Sequence, residues 1–173
     1  MKFKSVNELE TFSFRDCVIK KLVLDQKRIA METEALIVDG SNSQNRQFFA
    51  SYLGEAIITL DNADIEKIVL AGNRVYDPDG RLLEEVDDKT LETEEYGELV
   101  EACRDAFLCG IKKISEEDGR QKLMLEFEIP SEDDYDFLGI KFYELTAEAD
   151  SVTVEWDKYM NRVEDEMSMG SYR

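Results

Sequence analysis

The sequence predicts an α+β, β-rich fold: two similar four-stranded antiparallel units packed as a sandwich or partly closed barrel, with one amphipathic helix near 93–108. Three observations carry this. Apolar and polar residues alternate with period two along most of the chain. Only one stretch has helical spacing. Landmarks of the first half return in the same order in the second. With 43% hydrophobic and 10% aromatic residues, a chain of 173 residues can bury a core despite 35% charged residues.

Ser5-Val6-Asn7-Glu8 has the spacing of a capping box and predicts a short helix, cut off by the β-prone Phe12 and Phe14. Residues 16–25 read as a strand. Asp25-Gln26-Lys27-Arg28 then turns the chain into a second strand, where Ile29, Met31, Thr33, Ala35 and Ile37 alternate with Ala30, Glu32 and Glu34. Residues 39–43 are loop-forming. Ala56, Ile58 and Leu60 alternate next, Asp61-Asn62-Ala63-Asp64 predicts a turn, and 65–70 gives another strand that 74–76 continues. Asp77-Pro78-Asp79-Gly80 is a strong turn.

An acidic connector is expected over 77–95. Beyond it Tyr96, Leu99, Val100, Cys103, Phe107 and Leu108 recur at three- and four-residue steps, which predicts the helix, closed by Gly110. In the cleanest strand Leu123, Leu125, Phe127 and Ile129 oppose Lys122, Met124, Glu126 and Glu128, and Pro130 ends it. Strands at 139–146 and at Val152, Val154 and Trp156 follow, with Trp156 assigned to the core. The expected division is a first β unit over 1–76, the connector, a helix and second β unit over 96–160, and a polar tail over 161–173, all in one compact chain.

The repeat rests on three landmarks. Cys17 to Lys21 read CVIKK and Cys109 to Lys113 read CGIKK. Each is followed by an acid-containing turn and a strand with alternate glutamates, Glu32 and Glu34 against Glu126 and Glu128. Tyr52-Leu53-Gly54 and Phe137-Leu138-Gly139 then each precede a strand, a polar turn and a strand. A single four-stranded unit leaves one apolar face bare, and two copies can cover each other.

Composition narrows function. The net charge is −19, and it is uneven: residues 1–75 hold 10 Lys/Arg and 11 Asp/Glu, whereas 76–173 hold 11 and 29. Such a surface repels nucleic acid and anionic lipid and draws basic partners. Histidine is absent, which excludes Ser-His-Asp and Cys-His mechanisms. Cys17, Cys103 and Cys109 form no metal-binding pair, and with no secretory leader or apolar span in the sequence they suit a reducing cytoplasm. The stretch 75–86 contains Asp77, Asp79 and Gly80, a fragment of a calcium loop, but Val75 and Val86 occupy its first and twelfth ligand positions. No phosphate-binding glycine loop is present, and no cofactor is implied.

The stretches FSFRDCVIKKLVL and VTVEWDKYMNRVEDE resemble small uncharacterised cytosolic proteins of Gram-positive bacteria, some of them immunity proteins that neutralise the toxins of competing strains. Where those relatives often carry His-Asp, this chain has Arg15-Asp16. The resemblance implies a non-enzymatic, cytoplasmic, immunity-type binding protein, and the acidic surface implies a basic protein partner. The residues expected to hold it are Asp87, Asp88, Glu92, Glu94, Glu95 and Tyr96 in one cluster, and Glu132, Asp133, Asp134, Tyr135 and Asp136 in another. The alternatives are a homodimer or larger oligomer paired through sheet edges, and a carboxylate-based, metal-dependent enzyme.

Overall fold

The computed structural model describes residues 1–131 and 139–163. Strand β1 (Phe3–Val6) buries Phe3 and Ser5 and exposes Lys4 and Val6. A 3-10 turn (Leu9–Thr11) leads to β2 (Phe12–Ser13). The capping-box side chains do bond, Ser5 Oγ donating to Glu8 at 2.5 Å, yet no α-helix follows. Asn7 instead adopts a left-handed φ of 56°, and its side-chain Oδ1 accepts from the Val152 amide and the Gln121 side chain. Long-range pairing therefore takes the segment that local capping would have started.

Strands β3 (Val18–Asp25) and β4 (Lys27–Glu34) form the predicted hairpin. Short strands β5 (Ile37–Val38) and β6 (Ser51–Leu53) flank the loop between them and precede β7 (Ala56–Leu70). The turn expected at 61–64 does not form. Asn62, at φ 51°, bends a continuous fifteen-residue strand instead of reversing it.

The second half supplies β11 (Phe107–Glu117) and β12 (Arg120–Ile129), a hairpin closed by Asp118 and Gly119, both at positive φ as a primed two-residue turn requires. Strands β13 (Lys141–Ala149) and β14 (Ser151–Trp156) follow. They too lie end to end, both antiparallel to β7, with Tyr143 facing Leu70 at one end and Trp156 facing Ala56 at the other. Polar clusters that look like turns are thus the kinks of two long paired strands. Their polar groups are occupied in the kink: Asn62 Nδ2 donates to Asp150 at 2.9 Å, and Arg120 reaches Asp64 at 3.0 Å and Asp150 at 3.1 Å.

The strands β7, β13, β12, β11, β3 and β4 form a ring, closed where β4 pairs with the first part of β7. The seam between β3 and β11 is narrow: only Phe107 faces Val18, backed by bonds of Ile19 with Ala106 and Asp105. A smaller sheet of β2, β5, β6 and β15 (Tyr159–Arg162) covers one end. Over it Trp156, 0% exposed, stacks on Phe3 at 5.5 Å and meets Phe12 and Tyr159 edge-on. The ring interior is filled by side chains such as Ile19, Ile58, Leu60, Ile68, Leu108 and Phe127. Each contributes about 1.5–3 kcal/mol relative to exposure.

The two hairpin turns sit in register, Asp25 facing Arg28 and Glu117 facing Arg120, so CVIKK and CGIKK match when counted from the turns. They do not match at the open ends. β3 carries one bulge and β11 two, which buries Cys17 and exposes Cys109.

The helix is shorter than predicted. A 3-10 turn (Thr93–Glu95) runs into α1 (Tyr96–Ala102), and Asp105 at φ 61° ends the helical path. Phe107 and Leu108 keep helical spacing but lie in β11, because the Leu108 amide donates to Cys17 and closes the seam. The expected connector also has structure of its own: β8 (Asn73–Tyr76), β9 (Leu82–Val86) and β10 (Lys89–Thr90). Among the described residues no helix is long and apolar enough to cross a membrane.

Candidate interaction surface

Beyond Leu70 the chain leaves the ring and forms a hairpin, β8–β9, that is a sheet to itself. Asn73 faces Val86, Arg74 faces Glu85 and Val75 faces Glu84. The tip is the predicted turn. Asp77 Oδ1 accepts the amides of Asp79 and Arg81, and Gly80 sits at φ 80°. The Asp77 carboxylate is therefore engaged in the turn that Asp77-Pro78-Asp79-Gly80 predicts.

The base of this arm is held by two contacts. Gly72 lies so close to the returning strand that an added Cβ would stand 1.9 Å from the Val86 carbonyl oxygen. Its amide donates to Asp88 at 2.8 Å. The chain then re-enters the body: β10 pairs Lys89 with Leu70 and Thr90 with Val69, and Leu91 is buried.

The flank that follows is tied to itself. Glu92 and Glu95 make a reciprocal capping box, the Glu92 amide donating to Glu95 at 2.8 Å. Lys89 donates to the other Glu95 oxygen at 2.6 Å. That bond, with the Glu92 amide, holds the Glu95 carboxyl below its ordinary range and raises the Lys89 ammonium above its own.

The structure sorts the expected residues accordingly. Asp88, Glu92 and Glu95 are bound within the chain and position the arm. Asp87 and Glu94 are exposed and make no ion pair among the described residues, as do Asp79 and Glu84 on the arm itself. Tyr96 is half-buried and packs against the core, so it is not an exposed anchor. Glu132, Asp133, Asp134, Tyr135 and Asp136 lie outside the described residues.

Sequence reasoning missed the apolar half of the surface. Tyr76, Leu82, Leu83 and Val86 are all exposed, Leu83 at 67%. The usable signal was two adjacent leucines inside a run of charge, with no helical or period-two partner to bury them. A cleft of about 690 Å³ at the base, lined by Asn73, Arg74, Glu85 and Asp87 among others, completes the surface. From 73 to 98 the segment carries ten carboxylates against three basic side chains.

The other main cleft, about 460 Å³ between α1 and β3, is lined by Lys20, Lys21 and Arg104. Its lysines are already engaged, Lys20 by Asp105 at 2.7 Å and Lys21 by Glu32 at 3.6 Å. Among the described residues no group of three Cys, Asp or Glu side chains is placed to hold a metal ion. No protein-family model, no curated protein and no solved structure matches this chain.

Proposed function

We propose that this chain is a non-enzymatic binding protein that holds a basic protein partner on the β8–β9 arm and the acidic flank beside it. The observation that supports the reading is the arm's construction. A two-stranded hairpin alone is marginally stable in water, and this one keeps four large apolar side chains exposed among unpaired carboxylates. A cationic, partly apolar surface would cover both. The acidic field speeds encounter, and the leucines supply the desolvated centre that rim charges cannot. An immunity-type role in the cytoplasm is the narrower form of this reading, and it rests on the resemblance of the two quoted stretches.

The test is capture from lysate of the native cells by the immobilised chain at low and at high salt. Parallel baits carry Glu84→Gln, Asp87→Asn and Glu94→Gln together, or Leu82→Ser with Leu83→Ser. A basic protein held by the unaltered chain and released by either set supports the arm. Equal retention by all three baits rejects it.

Pairing through sheet edges has one observation in its favour. The outer edge of β11 beyond Leu108 has no strand partner among the described residues. That edge also carries Lys112, Lys113 and two bulges, the devices that discourage sheet extension.

A further inference from the structure

The loop between β5 and β6 holds the most exposed large apolar side chain of the described residues. Phe48 is 97% exposed, and its φ is 50°, a left-handed backbone that costs a bulky residue about 1–2 kcal/mol. The surroundings over-determine that conformation. An added Cβ at Gly40 would lie 3.0 Å from the Phe48 and Phe49 backbone, so the two strands of the loop touch. Asn45 Nδ2 donates to the carbonyls of Asp39 at 2.9 Å and Phe49 at 3.1 Å. Buried Asn42 donates to Ser5 and Thr11, and the Tyr159 hydroxyl donates to the Gln44 carbonyl. A loop pinned from both sides holds Phe48 out in water.

The tip itself, 45–49, carries one charged side chain, Arg46, while the carboxylates of Glu8 and Asp39 bond the base of the loop at Ser43 and Ser41. From 40 to 50 the loop contains Arg46 and no acid. Arg46 makes no ion pair among the described residues, and the Arg162 guanidinium lies over the Phe49 ring at 4.9 Å. The tip is aromatic and cationic. The arm is aliphatic and anionic. Neither is covered by the described residues of its own chain. They also leave opposite ends of β7, whose fifteen residues span up to about 50 Å at about 3.3 Å each.

We propose that Phe48, flanked by Arg46, docks on the β8–β9 arm of a second copy of this chain. The inference rests on the reading of the arm as a contact surface, and puts the cationic tip of a second copy in the place of a separate basic partner. Phe48 supplies the apolar anchor for Leu82 and Leu83, and Arg46 meets the carboxylates around them. The contact is head to tail. Each added copy leaves a free tip and a free arm, so association extends or closes a ring according to the rotation between copies.

The experiment is sedimentation velocity at about 0.15 M salt, where a Debye length of about 8 Å mutes the repulsion between two copies of charge −19. The unaltered chain, Phe48→Asp (tip lost) and Leu82→Asp with Leu83→Asp (arm lost) are each run across a concentration series. The unaltered chain associates. Each variant alone is weakened about tenfold or more, and an equal mixture of the two gives a 1:1 heterodimer, because one intact tip meets one intact arm. An unaltered chain that stays monomeric, a Phe48→Asp variant that associates as well as the unaltered chain, or a mixture that stays monomeric overturns the proposal. Binding of a peptide of alternating lysine and leucine separates the two readings. If Phe48→Asp binds it and the arm variant does not, the arm reading stands whatever the sedimentation shows. If neither self-association nor peptide binding occurs, both readings fall.

Discussion

Replacing Gly72 by alanine tests whether the arm is a body separable from the ring. The new Cβ would sit 1.9 Å from the Val86 oxygen and 2.7 Å from the Asp87 carbonyl carbon, both backbone atoms that no rotamer can move. Restoring an ordinary contact of 3.4 Å needs a shift of 3.4 − 1.9, or 1.5 Å, in the strand that returns to the body. That shift draws the Gly72 amide off Asp88 and disturbs the pairing of Lys89 with Leu70. Overpacking costs about 1–3 kcal/mol, and a lost hydrogen bond about 1 kcal/mol more. The sum, about 2–4 kcal/mol, acts on the attachment, because among the described strands β8 and β9 pair with each other and no other.

The assay is hydrogen exchange resolved by segment. Amides at 89–91 lose protection by a factor of about 30–1,000, the equivalent of that energy, while those of β12 keep theirs. Gly80→Ala is the control. Its Cβ would meet nothing within 4 Å, so its cost of about 1 kcal/mol is backbone strain at φ 80° confined to the hairpin tip. Equal loss across β12 in Gly72→Ala would refute the reasoning, since the arm would then be part of the cooperative unit. So would unchanged exchange at 89–91.

Other substitutions probe the parts that hold the site. Gly97→Ala in α1 meets no atom within 4 Å and should raise the denaturation midpoint, gaining about 0.5–1 kcal/mol from the stiffer unfolded chain. Asn42→Ala leaves Ser5 and Thr11 without a donor in a buried site, and chemical denaturation should show a loss of about 1–3 kcal/mol. Burial pushes the Glu8 carboxyl up, but bonds from Ser5 and Ser43 outweigh it and set it below its ordinary 4.5. A depressed carboxyl stabilises above the unfolded value and loses that contribution as pH falls, so proteolytic nicking of 40–50 should rise below pH 4.5 and lose this dependence in Glu8→Gln. Of the three cysteines only Cys109 is exposed, and burial pushes Cys17 and Cys103 to about 12, so a thiol reagent at pH 8 should titrate one group in the native protein and three in denaturant.

What could be read from the sequence follows a physical rule. Leu123, Leu125 and Phe127 alternate because one face of β12 is buried, and burial leaves its period in the letters. The bend in β7 could not be read the same way. Asp61-Asn62-Ala63-Asp64 has the chemistry of a turn, and only the partner strand decides whether a left-handed Asn62 reverses the chain or kinks it. Phe107 and Leu108 failed for a related reason: their spacing fits α1, but Cys17 offers a strand edge that a helix cannot use. At the arm, charge alone was legible. Asp88, Glu92 and Glu95 look the same in sequence as Asp87 and Glu94, and only the geometry shows which carboxylates are already bonded.

The two halves use the same order of parts: a short strand, a 3-10 turn, a bulged hairpin and a long kinked strand. Even the exchange between them is matched, since β1 pairs with β14 and β10 pairs with the end of β7. Everything in that shared scheme is fixed by burial and strand pairing, and little of it is free to touch a partner. The arm falls outside it, and the loop carrying Phe48 lies in a longer connection, 35–55 between β4 and β7 against 130–140 between β12 and β13. Among the described residues these parts also hold the two most exposed large apolar side chains, Phe48 and Leu83, and Phe48 keeps a left-handed backbone. These parts do not serve the core, and exposed aromatic and aliphatic groups of this kind mark contact surfaces. The place to look for this protein's function is therefore where its two halves stop resembling each other.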